Sequence, residues 1–531
     1  MNTGTHDGHR PDANLPGSPA IRFSSSSGRW VLAVTILGSG IAFLEATVVN
    51  VALPEIGKDL DADVAGLQWV INGYLLTLAA LILLGGSLGD HFGRRRIFNI
   101  GVIWFTTASA LCALAPSTEV LVAARIIQGV GGALLTPGSL AIIEATFHPD
   151  DRARAIGAWS ALGGIAAAVG PLLGGYLIDA VSWRAIFLIN LPLGAFVVYE
   201  AQRRVPETRD PTSTGPIDIP GSLLATIGLA GITFALIQAP DRGMISPAVL
   251  TALVLGVGGL VLFLGTEHRR RQPMLPLEIF SSRQFTSANL VTFVVYAALG
   301  GVFFLLIVFL QVSLGYSAIA AGAASLPITA LMLLLSARAG ALAQRIGPRR
   351  PLTVGPLMIS IALLLMRRID IGDGYVEAVL PAVIVFGLGL TLVVAPITAT
   401  VLAAADPDHA GIASGVNNAV ARTAQLAAVA VLPLVAGLSG SDYSNPFAMA
   451  DGFDKAMLAA AILSAAGGIL AWFTISDDVL EQAEKPGHEP CRDALDAAPD
   501  YHCAVAGTPV HSAARHFEGD LETEPRSPQR V

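Results

Sequence analysis

Two ionisable side chains stand where an apolar chain should not hold them. Glu45 lies in Glu45-Ala-Thr47-Val-Val-Asn50-Val-Ala-Leu-Pro54, deep inside an apolar run. A carboxyl at mid-membrane is expensive and must be paired or protonated, which suits a group that loads and releases a proton. Arg125 lies in Leu121-Val-Ala-Ala-Arg125-Ile-Ile-Gln128-Gly129. A guanidinium keeps its proton and needs an anion or a carbonyl as partner. Gln128, three residues on, shares its helix face. Glu45 is the acid best placed to meet Arg125, and a pair that breaks when the carboxylate protonates would link proton binding to conformation. The plainer alternatives are a structural Glu and an Arg that snorkels to the interface. Asn418, Arg422 and Gln425 share another helix face, and Arg422 is deep enough to be a cavity residue. Asn50, Asn72, Gln128, Tyr296, Phe303, Phe304 and Gln311 are further candidates for lining a cavity, with core packing as the competing reading.

These residues need membrane helices to position them. The chain of 531 residues is 53% hydrophobic and 14% charged, with a net charge of −8, against about 25% charged residues in soluble proteins. A span takes about 20 apolar residues. Fourteen runs qualify: 30–53, 67–88, 97–115, 119–142, 155–178, 185–204, 218–239, 247–266, 286–311, 319–342, 352–368, 377–402, 411–437 and 454–475. One set of intervening loops holds Arg94–Arg96, Arg152, Arg154, Arg203, Arg204, Arg269–Arg271, Arg283, Arg345, Arg349 and Arg350. The opposite loops hold fewer basic residues, among them Lys58, Arg184 and Arg242. By the positive-inside rule both tails are expected in the cytoplasm, which agrees with an even span count. The first 29 residues are polar and carry no cleavable signal, and the acidic tail from 476 reads as disordered.

Several strings carry a family resemblance. Gly86-Ser-Leu-Gly-Asp90-His-Phe-Gly93-Arg94-Arg95-Arg96 reads as a Gly-rich charged loop in which Asp90 caps or pairs a neighbouring helix end. It returns in degenerate form as Gly340-Ala-Leu-Ala-Gln344-Arg-Ile-Gly347-Pro-Arg349-Arg350, with Gln344 in place of the acid. Gly170-Pro171-Leu-Leu-Gly174-Gly175 combines small residues, which let helices approach closely, with a bend-forming Pro. Trp183-Arg184-Ala-Ile-Phe-Leu-Ile-Asn190-Leu-Pro192-Leu-Gly194 follows. Together with the Glu45 and Arg125 strings, these resemble the major facilitator superfamily, and within it the fourteen-helix drug:proton antiporters of bacteria. Ala185 departs from the usual Trp. The resemblance covers about residues 30–475.

The resemblance implies an all-α membrane protein with fourteen transmembrane helices. Two six-helix bundles, 30–204 and 286–475, would be related by a parallel pseudo-repeat. An inserted helix pair would occupy 205–285, with tails at 1–29 and 476–531. The implied activity is proton-coupled efflux of amphipathic, often cationic or aromatic, small molecules across the cell membrane by alternating access. Glu45 and Arg125 would couple protons; Gly86, Asp90, Gly93, Arg94 and Arg95 would gate the cytoplasmic side; Gly170, Pro171, Gly174 and Gly175 would form the antiporter motif. A dedicated exporter of one host-made metabolite and a transport-inactive receptor or scaffold stay open as alternatives. There is no Walker A loop, and Gly138-Ser139 lacks a nucleophile-elbow context, so neither ATP-driven transport nor hydrolase chemistry is expected. His488, Cys491, His502 and Cys503 fit no zinc spacing. The expected partners are cargo, protons and lipid, without cofactor, metal or nucleic acid; the oligomeric state is left open.

Overall fold

The computed structural model describes residues 21–210, 217–270, 273–405 and 410–480. The expected disordered tail falls almost wholly outside them, as do residues 1–20 and the four tail His and Cys residues. The described chain is helical and contains no strand beyond an isolated bridge between Ile21 and Phe147. In order the helices are α1 (Ser26–Asp59), α2 (Val64–Phe92), α3 (Arg94–Ala113), α4 (Thr118–Thr146), α5 (Pro149–Ala180), α6 (Ala185–Leu188) and α7 (Asn190–Arg204). There follow α8 (Ile219–Arg242), α9 (Pro247–Arg269), α10 (Arg283–Val312), α11 (Ala318–Ala324), α12 (Leu326–Ile346) and α13 (Arg349–Met366). The last are α14 (Leu380–Ala403), α15 (Ala410–Ala436) and α16 (Pro446–Thr474). Thirteen spans among the described residues are long and apolar enough to cross a membrane, and α5 is a further helix of 32 residues. This is a multi-pass, all-α membrane protein.

Local chemistry explains where the helices start and break. Ser25, Asp63, Ser117 and Ser317 accept the backbone N–H three residues on, satisfying first-turn donors. Two runs expected as continuous spans are broken. Run 185–204 splits at Ile189 and run 319–342 at Ser325. In each a proline, Pro192 or Pro327, sits just past the break, where its missing N–H removes the bond to the preceding turn. Run 377–402 is entered through a π turn, Tyr375–Val379.

Helices α1 to α7 pack mainly on one another, as do α10 and α12 to α16; α11 packs chiefly on α5, and α8 and α9 form a hairpin. The near face is the one where α1 begins; the far face is the opposite one. On the near face the hairpin is tied by Arg270 Nη1 to Asp218 Oδ1 at 3.0 Å, and by Leu275 N–H donating to Glu267 Oε2 at 2.8 Å. Helix α8 lies against both α2 and α15, with Ile237 packed on Ala65 and Ala430.

The two sets meet at the far face. There Val64 N–H donates to the Gly440 carbonyl at 2.8 Å, Gln68 Nε2 to the Val429 carbonyl at 2.7 Å, and Gln311 Nε2 to the Val51 carbonyl at 2.9 Å. Asp179 at the end of α5 accepts from Ala318 N–H (3.3 Å) and Ile319 N–H (3.0 Å), capping the first turn of α11 across the seam.

Glycines set the closest backbone approaches. A Cβ on Gly85 would strike the Ala133 carbonyl of α4, whereas one on Gly86 would meet only Pro137 Cβ at 3.8 Å. Gly85→Ala should therefore lower the thermal midpoint of the purified protein in detergent, by an overpacking cost of about 1–3 kcal/mol. Gly86→Ala should hold that midpoint or raise it slightly, since alanine favours the helix and has room there.

Candidate functional site

The structure brings Glu45 and Arg125 together inside the first helix set. Glu45 is 0% and Arg125 1% exposed. Arg125 Nη1 donates to Glu45 Oε1 at 2.6 Å, and Arg125 Nε donates to the Val70 carbonyl of α2 at 3.0 Å. The same Nη1 donates to Gln128 Oε1. The other carboxylate oxygen, Glu45 Oε2, accepts from Asn190 Nδ2 at 2.9 Å. Ser109 Oγ closes the ring, accepting from Gln128 Nε2 (2.8 Å) and Asn190 Nδ2 (3.2 Å). The Tyr74 ring lies under the guanidinium, 4.5 Å from its carbon, adding a cation–π contact. Five helices contribute: α1, α2, α3, α4 and α7.

This geometry overturns the snorkelling alternative for Arg125, because its guanidinium turns inward to four polar and aromatic partners. It also removes Gln128 from the cavity lining: its amide is spent inside the network. Asn190 and Ser109 carry no local signal of this role. Asn190 sits at the first position of α7, held there by the break before Pro192, so only the fold delivers it to Glu45. Truncating either member of such a buried pair strands the other charge, at roughly 3–5 kcal/mol.

The near-face strings fold differently from the expected loop. Helix α2 continues through Gly86 and Asp90 to Phe92, and α3 begins at Arg94. The connection is one residue, Gly93, at φ 109°. Only glycine takes that conformation without strain. Asp90 Oδ1 accepts from Arg94 Nε (2.9 Å) and Nη2 (2.8 Å), locking the corner. Glu207, beyond α7, caps α3: its Oε1 accepts from Arg95 N–H at 3.0 Å, while Arg95 Nη1 donates to the Val205 carbonyl at 2.9 Å. A Cβ on Gly93 would meet Glu207 Oε1 at 2.6 Å.

The second string has the same build. Gly347, at φ 81°, joins α12 to α13, and Asp477, beyond α16, accepts from Arg349 N–H at 3.2 Å. A Cβ on Gly347 would strike Asp477. Gln344 is exposed. Neither Glu207 nor Asp477 was singled out by sequence reasoning, since each lies more than a hundred residues from the corner it caps.

Helix α5 has two close-packed faces. A Cβ on Gly170 would strike Thr47, and one on Gly174 would strike Val48, both on α1 beside Glu45. A Cβ on Gly175 would meet the Ala318 carbonyl at 2.7 Å, and one on Gly322 would strike the Pro171 carbonyl. The string Gly170-Pro171-Leu-Leu-Gly174-Gly175 thus touches α1 on one side and α11 on the other.

The remaining candidates separate. Phe304 is buried against Tyr443, ring centroids 5.8 Å apart, and is core rather than cavity lining. Phe303 is half-buried beside Phe386. Gln311 belongs to the far-face seam. Asn50 is half-buried and turns back to the Ala46 carbonyl. Asn72 is fully buried and Asn418 exposed; Arg422, Gln425 and Tyr296 are half-buried.

The fold and the buried charges define an integral membrane protein that carries an acid–base pair in its interior. Residues 35–429 match the Major Facilitator Superfamily, and the chain belongs to that family. It is 36% identical over 457 residues to the methylenomycin A resistance protein of Bacillus subtilis, covering 85% of this chain and 96% of that one. It is 35% identical over 476 residues to a probable actinorhodin transporter of Streptomyces coelicolor, covering 87% and 80%. Among solved structures, a bacterial homologue of the human lysosomal transporter Spinster superposes with a TM-score of 0.61 at 17% identity, covering 87% of this chain and all of that one. The chain is a membrane transporter rather than an enzyme.

The Gly93 corner makes a measurable demand. Gly93→Ala should lower the thermal midpoint by a strain of roughly 1–3 kcal/mol, enlarged by the clash with Glu207. Glu207→Ala alone should also lower the midpoint, by about 0.5–2 kcal/mol for the lost cap, but the two substitutions together should cost less than their sum in a melting series, because the double variant has no clash.

Proposed function

We propose that this chain is a proton-coupled exporter of the fourteen-helix drug:proton antiporter group, with amphipathic small molecules as cargo. Residues 30–204 and 286–475 act as two six-helix bundles related by a parallel pseudo-repeat, and the inserted pair within 205–285 straddles their seam. The repeated Gly93 and Gly347 corners, each capped by an acid from beyond the last helix of its bundle, support the repeat. The near face, rich in arginine, is cytoplasmic, and both termini lie there.

The sealed Glu45–Arg125 pair is the observation that carries this reading. In the present state the carboxylate is fully partnered and the bundles are closed at the far, outer face. Protonation of Glu45 removes the charge that Arg125 needs. The disturbance has a short path outward: Leu44, Thr47 and Val48 of α1 pack on Gly170 and Gly174, and the other side of α5 packs on α11, whose N-terminus Asp179 caps. Loosening α1 therefore loosens the outer seam. Asp90 and Arg94 hold the inner end of α2 as it moves. One proton crossing about 100 mV supplies about 2.3 kcal/mol, which supports a cargo gradient of roughly fifty-fold.

A narrower reading, export of one host-made metabolite, is favoured by relatives named for single antibiotics: methylenomycin A, actinorhodin and puromycin. A cargo panel in everted vesicles separates the two by breadth. In the same vesicles, transport should collapse with a protonophore and survive ATP depletion while the proton gradient is held. Glu45→Gln should bring proton-driven uptake to the level of vesicles without the protein while cargo binding persists, and Glu45→Asp should keep part of it. Arg125→Lys should fail, because an ammonium lacks the fork that reaches Glu45, Gln128 and the Val70 carbonyl together. Transport that follows ATP instead would overturn the reading.

A further inference from the structure

Arg422 is the charge in the interior that the proton network does not absorb. It stands in the middle of α15, on a stripe of spacing three and four: Gly415, Asn418, Arg422, Gln425, Val429. Both ends of the stripe face α2. Near Gly415, Leu83 Cδ2 lies 3.0 Å from the position of an added Cβ, and at the other end Gln68 donates to the Val429 carbonyl. Accessibility falls along it, from exposed Asn418 through half-buried Arg422 and Gln425 to buried Val429. The stripe therefore runs along the seam between the helix sets, which is shut at the outer face.

Arg422 Nη1 donates to Gln425 Oε1 at 3.0 Å, and Arg422 makes no ion pair among the described residues. A second group at this level lacks a partner. Asn72 is one helical turn from Gln68 on the α15-facing side of α2, opposite Gln425; it is fully buried, and neither its amide nitrogen nor its amide oxygen has a hydrogen-bond partner. Buried amides are rarely left unmade, and interior guanidinium groups seek an anion. The Glu45 carboxylate is already committed to Arg125 and Asn190. Among the described residues this part of the seam thus holds a fixed positive charge and an unpartnered amide, with no protein anion to satisfy them.

We propose that this is an anion subsite for cargo at the seam between the helix sets: the cargo bears a carboxylate or an acidic phenol that pairs with Arg422, with Asn72 as a second donor. This rests on the exporter reading above and names its substrate class, replacing the often-cationic cargo expected from sequence. It has an energetic consequence. Moving a monoanion outward in exchange for an inward proton transfers two elementary charges along the membrane potential; a neutral cargo transfers one.

The test uses three probes of one size: anthracene-2-carboxylate, anthracene-2-carboxamide and 2-(aminomethyl)anthracene as its ammonium. Binding is measured by fluorescence titration of the full-length protein in nanodiscs. The carboxylate should bind at least roughly tenfold more tightly than the amide or the ammonium, about the worth of one charge-assisted bond. Arg422→Gln should erase that preference while leaving carboxamide binding within about twofold, which also shows that the variant is folded. Arg422→Lys should keep part of the preference, and Asn72→Leu should weaken carboxylate binding more than carboxamide binding. In energised everted vesicles, collapsing the potential alone should cut carboxylate uptake more than carboxamide uptake. Equal binding of the three probes, preference for the ammonium, or a carboxylate preference that survives Arg422→Gln would overturn the proposal. Protonophore-sensitive uptake without carboxylate preference removes the subsite alone; carboxylate preference with protonophore-insensitive uptake removes the proton coupling and leaves the subsite.

Discussion

A carboxylate and a guanidinium buried together in a membrane protein constrain everything around them. Each alone would be prohibitively desolvated, and together they are stable only if every remaining donor and acceptor is met. Here residues from five helices meet the demand of the two charged groups, while Asn190 Oδ1 at the rim of the network keeps no partner among the described residues. Arg125 spends its nitrogens on Glu45, Gln128 and the Val70 carbonyl; Glu45 uses both oxygens. The first helix set must therefore bring α1, α2, α3, α4 and the start of α7 to one point. The break at Ile189 is part of that requirement, since it sets Asn190 at the head of α7 where its amide reaches Glu45.

The pair gains leverage from backbone proximity. Large side chains between α1 and α5 would cushion a shift of α1; Gly170 and Gly174 leave no cushion, and Gly175 and Gly322 leave none between α5 and α11. Close backbone packing then joins the buried Glu45–Arg125 pair inside one helix set to a seam between two. The charged corners at Gly93 and Gly347 do the opposite work. They fix the near-face helix ends by a glycine of positive φ and an acid cap.

Much of this was legible in the sequence, and the misses have a common cause. Glu45 and Arg125 announce themselves because charge is rare in apolar runs, and spacing alone puts Gln128 on the face of Arg125. Span count and helix class follow from run length. Glu207, Asp477, Asn190 and Ser109 were not legible: each is an ordinary residue whose partner is distant in sequence. Phe304 was misplaced because periodicity does not distinguish a cavity face from a core face on a helix buried all round. The near-face string was read as a loop because glycines and charges suggest one; helical hydrogen bonding in fact persists to Phe92, and one glycine suffices to turn the chain.

In the proposed cycle, protonation of Glu45 alone unlocks the outer seam. Spin labels on Val181 at the end of α5 and Phe447 at the start of α16, both strongly exposed, report that seam from opposite helix sets. Their distance distribution should be measured by double electron–electron resonance across pH in the native protein and in Glu45→Gln. Lowering pH should shift the native protein from a short to a long distance, and Glu45→Gln should show the long distance at every pH. A short distance at all pH values in Glu45→Gln, or a pH response identical to that of the native protein, would contradict the account.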